Sequence, residues 1–249
     1  MESYSLTRQE LASLLLALDE TNANKAKDIL QKAWKKVRVT TFEKNDTERL
    51  LSSPVLPPII EKLMRCSERN GFSLHEIADL GNLLEFSTAS ATSMQNWVKR
   101  DFKSYFNCPL AGKKYSLNQA AMLLIIDDLK SNLDFETIRN LFSILFEPCL
   151  KEDKSPAHLV SPLILLSAYA TMYEKLDKRT IWGTMKADEL EKIIVEEAST
   201  IADNILGLTA EQHTALSNIL FVAVISIQSA YFQTLARRYC HEIIYMRKG

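Results

Sequence analysis

Glycine and proline are scarce, with 6 Gly and 7 Pro in 249 residues. Sandwiches, barrels and Gly-rich phosphate loops need turn residues at much higher density, so long helices joined by short loops are expected instead. Cysteine is sparse too. Cys66, Cys108, Cys149 and Cys240 stand far apart with no C-x-x-C pair, which argues against a zinc framework and for a reducing, cytoplasmic setting. Neither sign of charge dominates: 30 Lys and Arg meet 31 Asp and Glu, for a net charge of −1. No global field draws the chain to nucleic acid or to a membrane, and any anion-binding surface has to be a local patch. Met1 leads into a polar segment without a signal-like apolar stretch, so secretion is not expected.

Catalytic signatures are missing as well. There is no G-x-S-x-G, P-loop, H-E-x-x-H or dinucleotide fingerprint. His75, His158, His213 and His241 are scattered, and His75, near Glu76 and Asp79, reads as an exposed helix-start residue rather than a base. Asp127 and Asp128 are neighbours and point in different directions on a helix, so salt bridging explains them better than acid–base work. The expectation is a protein that is not an enzyme and that holds no cofactor and no metal.

What the chain does have is 47% hydrophobic residues arranged at helical spacing. Thr7 with Glu10 opens a first helix as a capping box. A lysine-rich helix follows to about Arg38, read as a solvated face or, alternatively, a phosphate-contacting one. Residues 40–58, with Pro54, Pro57 and Pro58, form a linker. Ser73 with Glu76 opens another helix, ended by the small-residue stretch Ser87–Ser93. A short helix runs from Thr92 to Phe102. Asn107–Tyr115, with Pro109 and Gly112, suits a tight β-turn. Ser116 caps Leu117–Leu129, too apolar to be exposed, and Asp134 caps one more helix. Beyond a charged loop at 151–156, helices are expected at about 161–176, 187–206 and 210–246. In the last, the run Ile219–Ile227 is bracketed by Asn218, Gln228 and Ser229. It falls well short of the roughly 20 apolar residues of a membrane span, so a buried central helix or a dimer seam is expected.

The 92–102 helix carries the most meaning. Met94, Trp97, Val98 and Phe102 form one face. The other presents Thr92, Asn96 and Lys99, flanked by Ser93, Gln95 and Arg100: donors and acceptors of the kind that read base edges and phosphates. Gly112-Lys113-Lys114-Tyr115 would set two cations and an aromatic on a small wing nearby. From Ser93 to Tyr115 there are five Lys or Arg against Asp101 alone, a local excess of four positive charges. The alternative is the solvated outer face of an ordinary helix followed by a lysine-rich turn.

The order of these elements resembles the winged helix-turn-helix domain of MerR-type transcription regulators. In that family a wing ending in basic-x-Tyr-Ser opens the next helix, as does Lys113-Lys-Tyr-Ser116 here, and a closing helix looks like Leu133-Asp-Phe-Glu-Thr-Ile-Arg139. More closely, Thr92–Lys99, Gly112–Ser116 and Leu123–Lys130 resemble a bacterial domain family of unassigned function, the YkrK type. The likeness covers roughly residues 55–147. It implies that Thr92, Ser93, Gln95, Asn96 and Lys99 lie in the major groove, that Lys113 and Lys114 contact phosphates, and that Tyr115 packs or bonds beside them. The chain departs from the MerR pattern in two ways. It has Gln95, Asn96 and Trp97 where that family has a basic residue and an aromatic pair, and about 55 residues precede the domain.

The expected fold is therefore all-α, in three parts. An N-terminal helical segment and linker (1–54) precede a MerR-like winged helix-turn-helix with a small β wing (55–150). A C-terminal helical domain for dimerisation or effector binding (151–249) follows. The expected function is sequence-specific DNA binding in transcription regulation, with repression favoured. The DNA-contacting set is Thr92, Ser93, Gln95, Asn96, Lys99, Arg100, Lys113, Lys114 and Tyr115. The expected partners are double-stranded DNA, a second copy of the chain and an unidentified small-molecule effector, with no membrane. The competing expectation is a helical protein-interaction module without DNA binding, motivated by Tyr169, Met172, Tyr173, Trp182, Phe221, Tyr231 and Phe232 on the C-terminal helices.

Overall fold

A computed structural model of the chain describes residues 4–20, 22–42, 56–65, 71–106, 114–146, 160–179 and 182–246. Their secondary structure is helical. The helices are α1 (Arg8–Asp19), α2 (Ala23–Phe42), α3 (Pro58–Arg65), α4 (Leu74–Gly81), α5 (Ala91–Asn96), α6 (Lys103–Phe106), α7 (Leu117–Leu129), α8 (Phe135–Leu145), α9 (Pro162–Lys178), α10 (Ala187–Asp203) and α11 (Ala210–Met246). A π-turn, Trp97–Asp101, joins α5 to α6. Among the described residues β structure is limited to two isolated bridges, Leu6 with Leu84 and Phe72 with Tyr115.

The starts of the helices follow from local chemistry. Thr7, Ser73 and Ser116 each accept the N–H of the residue three places on, and Glu10, Glu76 and Gln119 return the bond to the cap backbone. These reciprocal pairs satisfy donors that a helix start leaves open. Asp134 caps α8 alone, accepting the Thr137 N–H at 2.7 Å. The Asp134 carboxyl is held below its ordinary range, chiefly by that bond.

Helix α7 is the axis. Every residue from Ala120 to Leu129 is buried, because α1, α4, α9 and α11 all pack on it. One hydrophobic core runs through these helices, from Tyr4 and Leu6 to Val224 and Ile227. The first half of α11 contributes Leu216, Ile219, Leu220, Ala223, Val224 and Ile227 to it. By length and composition α11 also qualifies as a membrane-spanning helix. Its apolar stripe, however, already has α7, α8, α9 and α10 for partners.

An ion-paired network crosses this core. The Arg8 guanidinium donates to both oxygens of Asp128, at 3.1 and 3.2 Å from Nε and 2.8 Å from Nη2. Its Nη1 donates to the Glu85 carbonyl at 3.0 Å. Tyr169 Oη donates to Asp128 at 2.8 Å. Burial together with the Asp128 carboxylate pushes the Tyr169 phenol well above its ordinary pKa. The network ties α1, the segment after α4, α7 and α9 to one carboxylate.

Candidate nucleic-acid interface

Helix α4 ends at Gly81, and Ala89 comes back against it. A Cβ on Gly81 would lie 2.7 Å from Ala89 Cβ and 3.3 Å from Leu124 Cδ2. Only a residue without a side chain lets α4, the following turn and α7 approach this closely. The turn is pinned at two further points. Arg8 holds the Glu85 carbonyl, and Ser87 Oγ donates to Asp127 at 2.9 Å. Ser90 then caps α5, accepting the Ser93 N–H at 3.1 Å.

The expected uninterrupted α-helix from Thr92 to Phe102 needs correction. The α geometry ends at Asn96, and the next turn closes by a bond from Phe102 N–H to the Trp97 carbonyl, 2.8 Å. The cause lies in α8. Five residues apart on an α-helix, Trp97 and Phe102 would point about 140° from each other. A π-turn stacks residue i over i+5, and both rings then meet Phe135 edge-on, at centroid distances of 6.1 and 5.5 Å. Arg139 clamps the same turn, donating to the Asp101 carbonyl at 3.1 Å.

Two faces result. Met94, Trp97, Val98 and Phe102 are buried. Thr92, Gln95, Asn96, Lys99 and Arg100 are exposed side by side. Ser93 is half-buried, and its hydroxyl accepts from Ser90 Oγ at 2.8 Å, so it belongs to the cap more than to the outer surface. Lys130 is drawn inward: it pairs with Asp127 and lies 5.0 Å above the Trp97 ring.

Of the expected wing, residues 107–113 lie outside the described residues, Lys113 among them. Its end is described. Phe72 and Tyr115 exchange both backbone bonds, at 2.9 and 2.8 Å, in an antiparallel bridge just before α4 and α7 begin. Lys114 is exposed there. Tyr115 is half-buried, with its ring edge-on to Phe106 at 6.1 Å, and burial raises its phenol pKa. It serves packing and strand pairing. The geometry thus brings five exposed polar or cationic side chains onto one helical surface, with a described cation at the base of the adjoining segment.

Comparison with known proteins places this region without assigning it a role. Residues 73–161 match a family described as a domain of unknown function, DUF1836. The matched span opens on the Ser73 cap and takes in α4 to α8. Over 246 residues the chain is 28% identical to the uncharacterized protein YkrK of Bacillus subtilis (strain 168), a likeness covering 98% of this chain and 100% of that protein. No solved structure matches the chain.

Proposed function

We propose that the protein is a sequence-specific DNA-binding transcription regulator, acting in the cytoplasm as a repressor through a MerR-like winged helix-turn-helix. The surface of α5 and its π-turn reads base edges in the major groove, and the 107–115 segment contacts phosphates. The observation that carries this reading is the exposed set Thr92, Gln95, Asn96, Lys99 and Arg100, set on a short helix whose other face is locked into the core. Side chains of this kind discriminate bases only when their helix cannot turn. In this reading the isolated Phe72–Tyr115 bridge, just before α4, is where a wing would be anchored.

A two-fold reader needs two copies, and we propose a homodimer built on the distal half of α11. Phe232 and Tyr239 are 52% and 56% exposed there.

Fluorescence anisotropy of the full chain on genomic DNA fragments, including the DNA upstream of its own gene, tests the reading across a salt series. Expected is nanomolar binding that weakens steeply with salt, and a loss of at least about tenfold in the Asn96→Ala/Lys99→Ala variant. Absence of binding by folded wild type at low salt overturns the proposal. The exposed aromatics of α11 would then favour a helical protein-interaction module.

A further inference from the structure

Beside the helix-turn-helix lies a cleft of about 500 Å³, within the range of small-molecule sites. Its walls are the turn Phe86–Thr88, the end of α7, the connection into α8, and the stripe Ala230, Gln233, Thr234 and Arg237 on α11. These α11 residues follow i, i+3, i+4, i+7 spacing, so they share one helix face.

The charges in the cleft are unevenly satisfied. Asp127 is held by Ser87 and Lys130. Asp128 is held by Arg8 and Tyr169. Asp134 is engaged as the cap of α8, and Lys130 is engaged by Asp127 and the Trp97 ring. Arg237 lines the cleft with no ion-pair or hydrogen-bond partner among the described residues. The remaining charge available to an occupant is therefore one guanidinium, which binds carboxylates in a two-pronged fork.

The apolar part of the wall is equally specific. Phe86, Leu133 and Phe135 line it, half-buried. Phe86 adopts a φ of 65°, a left-handed conformation that a bulky residue rarely takes. Such outliers persist where the surroundings over-determine them, ligand clamps among them. Thr88, Ser131 and Thr234 add hydroxyls around the ring-lined wall.

We infer that this cleft binds a small organic carboxylate with a flat apolar body, its carboxylate paired to Arg237 and its ring set against Phe86 and Phe135. The site stands independently of the DNA reading. Ser87 and Lys130, which anchor the turn and cover Trp97, form part of its wall, so an occupant touches the groups that position α5.

The test uses the full chain without DNA, so its failure leaves the DNA reading untouched. Fluorobenzoate, neutral fluorobenzamide and cationic fluorobenzylamine are titrated and followed by fluorine NMR. Expected is saturable binding of the carboxylate in preference to the other two, about tenfold weaker or worse in Arg237→Gln. Thr234→Trp, which fills the cleft from an exposed helix position, should abolish it. Both variants should melt at the wild-type temperature. The inference is overturned if wild type binds no carboxylate saturably, if the three probes bind alike, or if folded Arg237→Gln retains full affinity.

Discussion

Adjacent residues on a helix point about 100° apart, and Asp127 and Asp128 use that divergence to serve different partners. Asp127 faces the turn between α4 and α5, through Ser87 and Lys130. Asp128 faces the core, through Arg8 and Tyr169, with the Arg8 and Asp128 side chains only 5% and 4% exposed. Removing one partner of a buried pair leaves an uncompensated charge, at a cost of about 3–5 kcal/mol. Asp128→Ala should lose about that much in urea unfolding. The double variant Arg8→Met/Asp128→Leu should recover most of it, because it buries no charge. Equal losses in the two variants would mean that the packing matters and the charge does not. Tyr169 adds a pH signature. Its folded-state pKa is raised well above the ordinary value, so its contribution is fully present below the unfolded pKa of about 10 and is lost as pH rises from there toward the folded value. Stability should fall with increasing pH beyond about 10, and Tyr169→Phe should make that decline shallower, as read from urea midpoints.

The turn between α4 and α5 is held by a close approach that helix propensity alone would misjudge. Alanine is favoured over glycine inside a helix by about 1 kcal/mol, so an exposed Gly→Ala change would stabilise. At Gly81 the added methyl meets Ala89 at 2.7 Å, and overpacking of this sort costs about 1–3 kcal/mol. Gly81→Ala should therefore destabilise, with the turn between α4 and α5 losing amide protection before α7 does. An unchanged melting temperature would show that the turn yields freely. Much of this element was readable from sequence, because caps and faces are local. The Ser73–Glu76 box, the limits of α7 and the burial of Met94, Trp97 and Val98 all follow from spacings of three and four residues. The π-turn was not readable, since it answers to Phe135, far down the chain. Nor was the Arg8–Asp128 pair, whose members are 120 residues apart. Among the candidate contacts, the exposure of Thr92, Gln95, Asn96, Lys99 and Arg100 was legible from periodicity. The diversion of Ser93 to Ser90 and of Tyr115 to Phe72 and Phe106 was not. Those depend on which groups the fold happens to bring near.

At the scale of the molecule, α11 joins the core to the outside. Its 37 residues extend about 55 Å at 1.5 Å per residue, and its core contribution stops near Gln228. The distal half carries two stripes on opposite sides. Ala230, Gln233, Thr234 and Arg237 line the cleft. Phe232, Leu235, Ala236 and Tyr239, also at i, i+3, i+4, i+7, face away from it. Apolar side chains repeating on a projecting helix suit a second copy of the same helix, through a self-complementary two-fold contact. Two reading surfaces would then share one rigid axis, and each phosphate contact would count twice in the salt dependence of DNA binding. Phe232→Glu/Tyr239→Glu sets charge on that face without touching the buried half of the helix. The expected outcome is a dimer for wild type and a monomer for the variant in sedimentation equilibrium, with the urea midpoint of the core unchanged. On DNA the variant should show about half the wild-type slope of log K against log salt, because half the neutralised phosphates are lost. A wild type that sediments as a monomer at tens of micromolar would remove the seam. A monomeric variant with an undiminished slope would mean that one copy makes all the phosphate contacts, and the two-fold reading would fall while the reading surface on α5 stood.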